Sequence, residues 1–189
     1  MKLQSSALID DLCRRTEEVI RSVKELATLD PALLKRKPDS KSWSVLECLE
    51  HLNLYGDFYL PEIEQRILKA PVSDSPGTFR SGILGNYFAL SMLPSKDGSV
   101  LKMKTFKDKN PLYAELEITT IDRFFKQQEK VLDLLYHARR VDLVRVKTAI
   151  SISSLFKLRL GDTFRVIVYH NQRHILQAQK VLKTLSVQI

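Results

Sequence analysis

Residues 161–185, GDTFRVIVYHNQRHILQAQKVLKTL, contain no proline and no glycine after the first position. Apolar Val166, Ile167, Val181 and Leu185 recur at helical steps, so the stretch predicts one long helix, with Asp162 as its N-cap. It carries His170 and His174. In a helix that four-residue spacing stacks both imidazoles on one face, one turn apart. They share a side with the apolar positions and therefore face inward. Buried imidazoles need partners. Hydrogen bonds to neighbours are one solution. A divalent metal is the other, since it takes nitrogen ligands at about 2.0–2.1 Å. The motif lacks the glutamate that marks a metalloprotease helix, so spacing alone leaves both readings open.

Three further helices are legible. Leu8, Ile9, Leu12, Val19, Ile20 and Val23 step through residues 5–26 at helical intervals. Asp30-Pro31 ends that helix, because the residue before proline avoids the α region. A short helical turn over residues 32–37 follows. Ser44 with Glu47 three residues on forms a capping box for a second helix over residues 45–69, and Trp43 stands where a hydrophobic staple would sit. Val45, Leu49, Leu52, Tyr59 and Ile63 form its inward stripe. Cys48, His51, Tyr55 and Phe58 lie beside that stripe, which puts His51 on the margin of the core face. Thr119 or Thr120 caps a third helix running to His137, with Ile121, Phe124, Phe125, Val131, Leu132 and Leu135 inward.

Between the helices the chain is less regular. Residues 71–116 hold a loop, a short helix over 81–93, a turn over 94–98 and a polar lysine-rich stretch. Residues 141–156 have no clear period; a short helix near 141–144 is expected, and Val144, Val146, Ile150, Ile152, Leu155 and Phe156 are expected to be buried. Four helices of roughly 18 to 26 residues with inward stripes describe an all-α four-helix bundle. The long crossover connection between helices 2 and 3 lets that pair run parallel. The 189 residues suit one domain spanning positions 1–189.

Two segments resemble the DinB-like superfamily (the DinB/YfiT-like fold). KPDSKSWSVLECLEHLNLYGDFYLPEI, residues 37–63, is similar to its signature of a proline, then Trp-Ser, then a helix bearing a histidine. YHNQRHILQAQKVL, residues 169–182, is similar to its closing His-x-x-x-His helix. The resemblance implies a four-helix bundle in which His51, His170 and His174 bind a divalent metal, nickel or zinc. It further implies a thiol-dependent S-transferase or a hydrolase acting on a small-molecule substrate, with a low-molecular-weight thiol such as bacillithiol as cofactor, and a homodimer. Three imidazoles leave a coordination position open, as catalytic sites do. The alternative is a non-catalytic metal- or ligand-binding bundle, since no general base can be named.

The remaining candidates read as structural. Glu47, one turn before His51, is either a support for that imidazole or a capping residue facing water. Asn171 and Arg173 flank the histidine pair and are expected to face outward or to meet another chain; Tyr169 and Gln177 are weak candidates for a pocket wall. His137 sits near a helix C-terminus as a solvated residue. Cys48 fills the core, and Cys13 and Cys48 show no CxxC pattern, which suits a reduced, cytoplasmic protein. The opening residues lack the apolar core of a secretory signal, and no run is long enough for a membrane span. The net charge of +8 raises a nucleic-acid reading, but the basic residues are spread along the chain and not interleaved with aromatics, so a solvated basic surface is expected and no nucleic-acid partner.

Overall fold

The computed structural model describes residues 1–73, 77–94, 104–151 and 153–187. It is mostly helical. Helix α1, Ser5–Ala27, buries Leu8, Leu12, Val19, Val23 and Leu26 on one face. Its outer face carries ion pairs such as Arg14–Glu18 at 2.6 Å. A short α2, Pro31–Lys35, starts where the Asp30 carboxylate accepts from the Ala32 amide. Helix α3, Val45–Leu68, opens on the predicted capping box: Ser44 accepts from the Glu47 amide, and Glu47 accepts from the Ser44 amide. Helices α4, Ile83–Met92, and α5, Thr119–Ala138, precede the longest, α6, Leu160–Val187.

Helix α3 packs against α5 and α6, α1 packs against the same two, and α4 lies along α6. Two buried apolar clusters result. One gathers Leu12, Ile63, Phe79, Leu135 and Phe164; the other gathers Val23, Leu49, Phe124, Ile175 and Leu185. Burying a side chain of this size contributes roughly 1.5–3 kcal/mol. On α3 the change from one cluster to the other falls between Leu52 and Tyr59, and on α6 between Tyr169 and Ile175. His170 and His174 stand within that change on α6, and His51 immediately precedes it on α3.

Several expectations are corrected. Among the described residues, four short strands form two antiparallel ribbons. Strand β1, Lys2–Gln4, pairs with β2, Thr78–Arg80. Strand β3, Lys147–Ile150, pairs with β4, Ser153–Arg159, where an irregular connection was expected. Residues 143–145 form a turn and no helix. In that hairpin Ile150 is buried, but Leu155 is 86% and Phe156 55% exposed. A two-stranded ribbon lying on helices has only one face to bury, and an unbroken apolar run does not say which. Ile152 and most of the turn expected over 94–98 lie outside the described residues. Helix α5 starts after Ile118 with no side-chain cap.

Asp162 does not cap its own helix. Its carboxylate accepts from the Gly82 amide at 2.8 Å, from the Ser81 hydroxyl and from the Arg165 guanidinium at 3.1 Å. It thus anchors the start of α4 to the first turn of α6. Arg165 also donates to Ser81 Oγ and Asn86 Oδ1, and both charges are buried. Gly85 allows this approach: a Cβ there would overlap the Asp162 side chain.

Candidate metal centre

The cap at Ser44 fixes where α3 begins, and therefore which face its second turn presents. His51 projects from that face toward α6, where His170 and His174 sit one turn apart. Ring centroids are 5.0 Å apart for His51–His170, 4.5 Å for His51–His174 and 4.6 Å for His170–His174. One ring nitrogen from each lies within 4.8 Å of the others. All three are buried, at 3%, 7% and 7% exposure. Trp43 packs 4.7 Å from His51 and 5.7 Å from His174, and Tyr55 closes another side at 5.0 Å from His51 and 4.8 Å from His170.

Hydrogen bonds fix two of the tautomers. His51 Nδ1 lies 2.6 Å from the Lys109 carbonyl oxygen. A carbonyl only accepts, so Nδ1 carries the proton and Nε2 keeps its lone pair. His174 Nδ1 is 2.9 Å from Gln177 Oε1, which has the same effect. His51 Nε2 then accepts a hydrogen bond from His170 Nε2–H, 3.2 Å away. A cation in place of that bridging proton, with His170 in its other tautomer, fits the convergence, and the outer nitrogens of His51 and His174 are held as those of metal-ligating histidines usually are.

Electrostatics favour the neutral, ligating form. Burial pushes His51 down to about 4, with the Arg173 and Lys109 charges adding to it and the Lys109 carbonyl opposing. Burial also holds His170 and His174 well below the ordinary histidine range; neighbouring imidazoles and Arg173 push the same way, and Gln177 opposes at His174. Burial raises Tyr55 to about 12 and lifts the Cys48 thiol further, so neither supplies an anionic nucleophile at neutral pH.

The histidines form one end of a pocket with about 120 Å³ of free internal volume. Leu60, Phe88, Val131, Leu158 and Ile167 are among its apolar walls. Its polar amides are engaged: Asn171 donates to Gln128 at 2.8 Å and Gln127 to the Asn53 carbonyl at 3.1 Å. Lys104 and Arg173 are its charged lining residues, and no carboxylate lines it among the described residues.

The structure thus brings His51, His170 and His174 together and leaves His137 57% exposed beside Asp133. Other expectations change. Asn171 and Arg173 turn inward, at 5% and 8% exposure. Glu47 caps α3 as predicted but is buried; it also accepts from the Tyr113 amide and pairs with Lys37 at 2.6 Å. Tyr169 lies in the core near Arg15 and Arg165, outside the pocket. Two supports escaped the sequence. The Lys109 carbonyl is backbone and leaves no residue signature. Trp43 reads as a helix staple, whereas its ring covers the histidines and its Nε1 donates to Asn110 Oδ1 at 3.2 Å.

A mostly helical protein with three neutral imidazoles converging inside it is, as a class, a helical protein with a potential three-histidine metal centre. The chain belongs to the DinB superfamily, whose family model matches residues 12–178. No curated protein and no solved structure matches the chain significantly. No helix among the described residues is long and apolar enough to cross a membrane.

Proposed function

We propose that this chain is a divalent-metal-dependent enzyme of the thiol-dependent S-transferase or hydrolase type, with His51, His170 and His174 as ligands. The convergence of three ring nitrogens within 4.8 Å carries the reading. All-nitrogen ligation suits nickel or zinc. When bound, the metal would supply Lewis-acid charge at a coordination position left open by three protein ligands. The chain's own groups do the rest. The Lys109 carbonyl and Gln177 hold two imidazoles with Nε2 turned inward. Trp43 and Tyr55 shield them from water, and Arg173 favours negative charge nearby. Packing of α1 and α3 each against α5 and α6 supports a four-helix bundle, with residues 69–118 as the crossover, in a single domain over positions 1–189. A homodimer, a cytoplasmic setting and a thiol cofactor such as bacillithiol complete the proposal.

Elemental analysis of the parent, His51→Ala and His174→Ala proteins tests the ligand set. Bound metal in the parent and loss of it in both variants is expected; equal, negligible metal in all three would end the idea. Metal-dependent turnover of electrophiles with candidate thiols then tests the reaction type. A second reading, a non-catalytic metal- or ligand-binding bundle, is favoured by the lack of any carboxylate in the described pocket lining. It predicts metal and ligand binding without turnover.

A further inference from the structure

The pocket continues far beyond the histidines. On α3 it takes His51, Leu52, Tyr55, Gly56, Tyr59 and Leu60, a single helical face. At a rise of about 1.5 Å per residue, His51 and Leu60 are about 13 Å apart along the axis. On α6 the lining from His174 back to Val166 spans about 12 Å by the same rise. The β3–β4 hairpin closes the far end. Its Ile150 and Leu158 line the pocket, and the Tyr59 hydroxyl meets the Ser151 hydroxyl at 3.3 Å. The chamber is therefore long, with imidazoles at one end and, at the other, a floor of Ile150 and Leu158 edged by the Tyr59 and Ser151 hydroxyls.

The histidine end carries a cationic side chain, Arg173. Among the described residues the charged lining groups are Lys104 and Arg173, the latter beside the histidines and donating to the Ser91 carbonyl at 3.3 Å; both are cationic. The nearby amides bond to one another, to main chain and to the Asp57 carboxylate, so the walls offer mostly contact area. An apolar occupant of this pocket would gain dispersion contacts with Leu60, Val131, Leu158 and Ile167.

We propose that the substrate or ligand of this pocket is an anionic amphiphile, with a slender apolar body lying along α3 and α6 and a carboxylate-type head group at the histidine end. This deepens the metal-site reading and rests on it for the place of the head group; the apolar channel stands independently of it.

Isothermal titration of the full-length protein with unbranched alkanoates of increasing length tests the proposal, with alkylamines and alkanols of equal length alongside. Each added methylene is expected to tighten binding by about fourfold, until the chain meets the floor at Ile150 and Leu158 and the gain stops. The alkanoate is expected to bind at least about tenfold more tightly than the amine, a modest effect for one desolvated charge contact. Chelated protein keeps the chain-length slope and loses part of the head-group preference. Affinity independent of chain length, or an amine binding as tightly as the carboxylate, overturns the proposal. Absence of metal by elemental analysis with the slope intact overturns the metal reading alone. Val131→Phe is expected to shorten the best chain; should that variant fail to fold, the series on the parent protein still decides.

Discussion

Acidifying the metal-free protein is expected to destabilise it through its buried imidazoles, in a window set by His51. The ordinary histidine value is 6.5 and the folded value is about 4. The unfolded chain therefore takes up this proton first. Between those values it holds more protons than the native state, so stability is complete above about pH 6.5 and falls as the pH drops toward about 4. The gap, 6.5 less about 4, is about 2.5 pH units; at about 1.4 kcal/mol per unit the cost is about 3 kcal/mol. His170 and His174 shift in the same direction, so the observed slope exceeds that of one proton. Asp11 and Asp133, lowered from 3.8, and Glu62, lowered from 4.5, withdraw their support only at lower pH. The interval from pH 6.5 to 5 thus belongs to the histidines. The assay is thermal melting in chelator, followed by circular dichroism at several pH values from 7 to 5. In a chain of this size, about 1.4 kcal/mol corresponds to roughly 4 °C of Tm, so a fall of at least that much per pH unit is expected. A level Tm across the interval, or an undiminished slope in the His51→Gln, His174→Gln double variant, would refute the reasoning.

Trp43 is the sole tryptophan and packs against two of the histidines, so nickel added to the protein should quench its emission saturably. His170→Ala should leave only weak, linear quenching, and identical curves for both proteins would contradict the site. Arg165→Met strands the buried Asp162 carboxylate and should cost about 3–5 kcal/mol, read by urea denaturation; adding Asp162→Asn should recover part of the loss. Gly85→Ala drives a methyl into Asp162 and should cost about 1–3 kcal/mol; unchanged stability would mean that α4 does not seat as closely as described.

Much of this arrangement could be read from local patterns. The Ser44–Glu47 box fixed the start of α3 because both partners lie within one turn, and the face of α1 followed from its periodicity. The histidine pair on α6 was legible for the same local reason. His51 acquired meaning only as a third member brought in from another helix, and a family resemblance pointed to it where periodicity left it at a margin. What stayed hidden depends on contacts between distant segments. β1 needs β2, more than seventy positions later, to become a strand. Asp162 looked like a cap for α6 because local chemistry allows it, but the tertiary fold gives its carboxylate to the start of α4. Asn171 and Arg173 looked like outward residues because polar side chains usually are; α4 and α5 cover them instead.

The acceptor that orients His51 is a main-chain oxygen, and this bears on how the site can drift in evolution. Replacing Lys109 by another residue leaves that oxygen where it is, provided the chain keeps its path. Shortening or lengthening the segment near it would displace the acceptor and free the ring to turn. The neighbourhood should therefore accept many spellings and few changes of length, so a survey of natural variants would find it constrained by spacing more than by identity.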